Sequence, residues 1–197
     1  MRIAPLLALC CALPAWALEP TDVRLSFELW SPDYEVDFSD AFGPNFSTDS
    51  SFESSWATRL GMYQPLNILQ TGDLVSVISL GFMDAQDEDW QGVELSYQGV
   101  SARYGFGYRA ELGDAFAIDM YPYLGIGWTS FEVSSTSDPA LLWEYGVQAE
   151  VAATVGSWQI GGQVGFNSRQ SGHEKDGFEW DISYQAVTYG GFLGYRF

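Results

Sequence analysis

Tyr145-Gly-Val-Gln-Ala-Glu-Val-Ala-Ala-Thr-Val155 puts Tyr145, Val147, Ala149, Val151, Ala153 and Val155 on one parity, and Gly146, Gln148 and Glu150 on the other. A period of two marks a strand with one apolar face. The same alternation runs through Val23, Leu25, Phe27 and Leu29, and through Thr58, Leu60 and Met62. Eight segments carry it, near residues 22–30, 55–64, 74–82, 93–109, 118–132, 144–155, 158–166 and 181–197. Leu74 to Phe82 is apolar on both faces, and the fourth segment changes phase near Gln98-Gly99, which predicts a bulge there.

Eight amphipathic strands fit either a soluble sandwich, with the apolar face inward, or a membrane barrel, with that face outward. The opposite face decides. It carries Arg24, Glu28, Arg59, Glu94, Arg103, Arg109, Asp119, Glu150 and Arg196, interleaved with Gly61, Gly105, Gly107, Gly125, Gly127, Gly146, Gly161, Gly165, Gly190 and Gly194. Glycine weakens an ordinary solvated strand but suits the narrow interior of a small barrel, where Arg and Glu can pair across the lumen. Connections alternate in length as a membrane barrel requires. Those at 31–54, 83–92, 133–143 and 167–180 are long and polar, Gly156-Ser157 is a minimal turn, and 65–73 is longer than expected for the short side. Trp30, Trp56, Trp90, Trp128, Trp143 and Trp180 fall at the outer strand ends and Trp158 at the opposite rim, the placement of an interfacial aromatic girdle. The expected fold class is therefore all-β, an eight-stranded antiparallel up-and-down transmembrane barrel.

At the N-terminus Arg2, the apolar run Ile3 to Leu13 and Ala15-Trp16-Ala17 read as an export signal cleaved after Ala17. Residues 1–17 are the expected signal peptide and 18–197 the expected barrel domain. Both cysteines, Cys10 and Cys11, lie in the signal, so disulfides and thiolate metal sites are excluded from the rest. A formal charge of −18, from 8 basic and 26 acidic residues, excludes nucleic acid as a partner, because phosphates could not be neutralised.

The final segment reads Val187, Tyr189, Gly191, Leu193, Tyr195 and Phe197 on one parity. It resembles the terminal signal of bacterial outer-membrane barrels, with Tyr195 and Phe197 as the residues offered to the assembly machinery. With the signal peptide and eight strands, the chain resembles the superfamily that includes the OmpA transmembrane domain, OmpX and the opacity proteins. The resemblance implies the outer membrane of a Gram-negative bacterium, with lipopolysaccharide as neighbour and no cofactor.

Three groups of residues are candidates for chemistry. The first is a lumenal charge network of Arg24, Glu28, Arg59, Glu94, Arg103, Asp119, Glu150 and Arg196, read as barrel filling or as the gate of a narrow ion path. The second is the outer loops, which hold more than half of the acids. There Tyr34, Phe38, Phe42, Phe46 and Phe52 are contact candidates for an extracellular ligand, although Tyr34 to Phe38 also alternates and could instead extend the strands as a hairpin. Asp84, Asp87, Glu88 and Asp89 are weak calcium or magnesium candidates, without the spacing of a calcium loop. The third is the lone His173 with Ser171 and Glu174, a nominal triad on a glycine-containing loop. No His-x-Ser motif of the kind deacylase barrels carry is present, and no enzyme is expected. The expected function is structural or adhesive, in a monomeric barrel; the alternatives are a small gated channel and, behind it, a lipid A-modifying enzyme.

Overall fold

A computed structural model describes residues 22–197 apart from 31–32, 41–45, 70–71, 91–92, 134–135 and 176–177; the expected signal segment lies outside the described residues. Ten strands follow in order: β1 (Asp22–Trp30), β2 (Asp33–Asp40), β3 (Phe46–Ser51), β4 (Ser54–Leu69), β5 (Gly72–Trp90), β6 (Val93–Leu112), β7 (Phe116–Val133), β8 (Thr136–Val155), β9 (Trp158–Lys175) and β10 (Phe178–Arg196). β1 and β4 to β10 pair each with the next, and β10 closes on β1, giving an eight-stranded antiparallel barrel. Closure removes the unpaired edges that an open sheet would present.

β2 and β3 are the unexpected pair. Trp30 faces Thr188 and Asp33 faces Gln185, so β2 continues along β10 in the register that β1 began. β3 then folds back on β2, with Asp33 opposite Ser51. The stretch expected as the first loop is thus a hairpin that extends the wall. The other long connections are strand as well: β5 runs to Trp90, β9 to Lys175, and β4 to Leu69 with a register shift between Leu66 and Leu69. Two short connections turn on Gly113 and Gly156, at φ of 69° and 62°, where a side chain would be strained.

No bulge interrupts β6 at Gln98-Gly99; its pairing with β5 runs unbroken from Leu95 to Arg109. What changes there is the environment. From Val100 to Tyr108 the outward parity is apolar, whereas Leu95 and Tyr97 are apolar and buried inside. The same inversion occurs on β5, between exposed Leu80 and Phe82 and buried Met83 and Ala85, and on β10, between buried Ile182 and Tyr184 and exposed Val187 and Tyr189. A sequence reading that follows the apolar face alone meets a phase slip and infers a bulge. Beyond Leu95 the register shifts, between the pairs Asp87–Leu95 and Trp90–Val93, and Glu94 falls in that step. The side chain of Glu94, expected in the lumenal set, lies outside the described residues.

The molecule has two halves. At the end bearing the short turns an apolar belt faces out; on β10 it extends from Val187 to Phe197, about the length a tilted strand needs to cross a bilayer. Trp56, Trp128 and Trp143 lie on the outward parity at the upper border of this belt, and Trp158 at the lower. Trp30, expected in the girdle, is instead buried inside at 3% exposure. Beyond the belt the outer surface turns polar, with Asp33, Glu35, Asp37, Glu132 and Asp181 exposed. The interior there becomes an apolar cluster of Tyr34, Val36, Phe52, Met83, Leu95, Tyr97, Phe131, Leu142, Ile182 and Tyr184, among others.

Candidate functional site

Inside the belt the lumen is filled by charge in two layers. In the layer nearer the short turns, Arg24 reaches across from β1. Its Nη1 donates to Asp119 Oδ2 at 2.7 Å and Glu150 Oε2 at 2.6 Å, and its Nε to Gln159 Oε1 at 3.1 Å. Its guanidinium lies over the rings of Tyr63 at 4.1 Å and Phe192 at 4.8 Å, contacts that suit a delocalised cation. Arg109 grips Asp119 with Nε at 2.6 Å and Nη2 at 3.0 Å, and Arg196 reaches Asp22 at 2.9 Å. Glu150 also accepts from the Tyr63 and Tyr121 hydroxyls and from Gln148 Nε2.

The second layer centres on Glu144 of β8. Arg103 binds it through Nε at 2.8 Å and Nη2 at 2.9 Å, Arg169 through Nε at 3.1 Å, and Arg59 through Nη2 at 3.4 Å. Glu28 sits opposite, 3.4 Å from Arg59 Nε and 3.5 Å from Arg103 Nη1. Arg169 further donates to the Tyr184 hydroxyl and stacks 4.6 Å from the Trp30 ring, where the ionic layer meets the apolar cluster. Glycines make room for these side chains: a Cβ at Gly81 would meet Arg59 Nη1 at 2.6 Å, and one at Gly125 would meet Glu144 Cγ at 2.5 Å. Between the layers remains a cavity of about 10 Å³.

The lumenal expectations thus meet in one place for Arg24, Glu28, Arg59, Arg103, Asp119, Glu150 and Arg196, and Arg109 joins them. Glu144, Arg169 and Asp22 were missed. Arg169 was placed on an outer loop, yet it is 0% exposed. It shares the parity of Gly161, Gln163, Gly165 and Asn167, and Glu144 that of Gly146, Gln148 and Glu150, so extending each alternation a few residues would have found both.

The outer candidates scatter. Tyr34 and Phe52 are each 1% exposed and stack at 4.3 Å inside the barrel, so neither offers a contact surface; interior space beyond the belt takes the apolar parity. Phe38 and Phe46 pair as strand neighbours, but their side chains, like all of Phe42, lie outside the described residues. Asp87 is buried and accepts from the Tyr34 hydroxyl and from Ser50 Oγ, each at 2.8 Å. Burial, with that bond, raises the Tyr34 phenol above its ordinary value. Asp84 is on the opposite parity of β5, so Asp84 and Asp87 cannot share a cation; the side chains of Glu88 and Asp89 are outside the described residues. Among the described residues no three His, Cys, Asp or Glu side chains gather as a metal site. Ser171 is buried and accepts from the Tyr97 hydroxyl at 3.3 Å, while the side chains of His173 and Glu174 are not among those described. Tyr195 and Phe197 form an aromatic rim with Trp158, at ring separations of 5.0 and 5.3 Å.

Among solved structures the chain is similar to the outer membrane protein OprG from Pseudomonas aeruginosa, with a TM-score of 0.53 and 12% identity over 90% of this chain and 95% of that one. The fold is that of the small eight-stranded outer-membrane barrels. Neisserial surface protein A aligns with a TM-score of 0.49 and 9% identity, over 87% of this barrel and 97% of its own chain. The Yersinia pestis attachment invasion locus protein Ail aligns with a TM-score of 0.40 and 12% identity, over 90% and 98%. No family model and no curated protein matches the chain.

Proposed function

We propose that this chain is an outer-membrane barrel whose lumen is a strut, and which works through the acidic wall it raises beyond the membrane, in a structural or adhesive role. The observation that carries this reading is the solid interior: two ionic layers, an apolar cluster above them, and between the layers a cavity of about 10 Å³. Among the described residues that cavity has room for about one water-sized particle. The belt of exposed Leu, Phe, Val and Tyr side chains supports insertion in lipid, and the Tyr195–Phe197 rim suits recognition by the assembly machinery. Burial of Tyr34 and Phe52 takes those two aromatics off the contact surface, where Asp33, Glu35, Asp37 and Asp181 are exposed. Such a surface fits a cationic partner, or divalent cations that bridge it to anionic lipopolysaccharide. No catalytic role follows from Ser171, whose hydroxyl is buried against Tyr97.

Planar-bilayer conductance of the refolded barrel, after its heat-dependent gel shift is verified, tests the reading. A folded, silent protein is expected. Unitary steps altered by Arg59→Ala would establish the channel instead. For the surface role, replacing Asp33, Glu35 and Asp37 together by Asn should abolish adhesion to cationic surfaces while the gel shift persists; unchanged adhesion would count against the acidic wall.

A further inference from the structure

The two ionic layers differ in charge balance. The first sets Arg24, Arg109 and Arg196 against Asp22, Asp119 and Glu150, three cations to three anions. The second sets Arg59, Arg103 and Arg169 against Glu28 and Glu144. Among the described residues, the other buried acid above the belt, Asp87, is bonded to Tyr34 and Ser50 within the hairpin region. Among the described side chains the second layer is therefore one negative charge short. Arginine cannot correct this by releasing its proton, and an uncompensated charge in a water-poor interior is expensive.

Two observations locate the deficit. Carboxylates are scarce in this layer: Glu144 serves three arginines, Arg59 and Arg169 turn to the Ser101 and Tyr184 hydroxyls, and Arg169 Nη2 is buried with no hydrogen-bond partner among the described residues. The closest carboxylate contacts of Arg59 are the longest of the three, at 3.4 Å to both Glu28 and Glu144, with its Nη1 donating to the neutral Ser101 hydroxyl at 3.1 Å. The cavity of about 10 Å³ lies beside it, lined by Arg59, Arg103, Ser26, Ser79, Gln148 and Glu28. We infer that this cavity is a binding site for one small monovalent anion of chloride size, held by Arg59 and Arg103, that completes the charge of the second layer. The anion is structural: it enters as the barrel closes and locks the arginine that the two carboxylates hold poorly. An anion rather than a water is favoured by the surplus guanidinium, since water supplies an acceptor without the missing charge.

The full chain refolded in sodium bromide and crystallised answers the question directly. A single anomalous peak in the cavity, within hydrogen-bond reach of Arg59 and Arg103, is expected. An ordered oxygen without anomalous signal, which would make the occupant water, overturns the proposal. In solution, urea unfolding of the vesicle-inserted barrel is compared in chloride and in gluconate, an anion too large for the cavity, at constant ionic strength. Above the dissociation constant, each tenfold removal of chloride should lower the folding equilibrium constant by about tenfold. In Arg59→Met, which removes the surplus cation, the folding constant should no longer respond to chloride. Indifference of the unmodified barrel to chloride also overturns the proposal, whether or not the variant folds.

Discussion

The belt half and the half beyond it share continuous strands, with β2 taking over from β1 along β10 in one register, yet they are turned inside out relative to each other. In the belt Leu25, Leu60, Leu124 and Leu193 face outward and Arg24, Arg59 and Arg103 inward. Beyond it Tyr34, Phe52, Tyr97 and Ile182 face inward, and Asp33, Asp37 and Asp181 outward. Nothing in the backbone changes at the border. A strand presents two parities, and which one is apolar depends on which side meets water. Where lipid surrounds the wall, polar groups go inward and must satisfy one another. Where water surrounds it, the interior can be an ordinary hydrophobic core.

The largest effect is expected at the hub of the belt interior. Glu144→Ala strands Arg59, Arg103 and Arg169 at once, and loss of a buried ionic partner costs about 3–5 kcal/mol. Urea unfolding in lipid vesicles, followed by tryptophan fluorescence, would register it. An effect below 1 kcal/mol would mean that water reaches this layer. Next comes a pair that separates the outer surfaces. Leu124→Arg, at a position 71% exposed within the belt, should cost about 2–4 kcal/mol, whereas Glu132→Arg, exposed on the same strand beyond it, should stay within about 0.5 kcal/mol. Equal costs would erase the border between the halves.

Tyr34→Phe leaves the buried Asp87 carboxylate without one of its donors and should cost about 1–3 kcal/mol. It also carries a pH signature. Because burial raises the Tyr34 phenol in the folded state, the folded protein keeps a proton that the unfolded chain loses above its ordinary value of 10.0. The contribution is complete below that value and falls as pH climbs through the raised one, so the variant should show a shallower loss of stability at alkaline pH. The smallest effect belongs to the outer wall. Asp37 and Asp181 face each other directly across β2 and β10, a disfavoured like-charge pairing. Asp181→Asn should raise the unfolding midpoint slightly in dilute buffer and not at high salt.

Sequence reading reached the belt because lipid imposes a strict outward alternation there, and the glycine-and-charge parity opposite it could only be a lumen. The same rule failed at the border. Strands were ended where the outward apolar parity ended, so Met83 and Leu142 were left in loops although they continue the pleat on the inner side. Arg169 fell on the wrong side of that line, as did the hairpin aromatics Tyr34 and Phe52. Pairing distances were beyond reach for a different reason: alternation reports parity, not height. That Arg24 meets Asp119 and Glu150 while Arg59 meets Glu28 and Glu144 depends on the stagger between strands.

β10 is hydrogen-bonded to β9 along one edge and to both β1 and β2 along the other. The first segments to be synthesised therefore find their wall partner only when the last one arrives. Until then β1 and β2 have β4 and β3 on one side and a bare row of amides and carbonyls on the other. Such a row can recruit any extended chain nearby, so chains of this protein in which β10 has not yet docked should be candidates for intermolecular pairing and degradation, and the interval before β10 closes the wall should be its most hazardous.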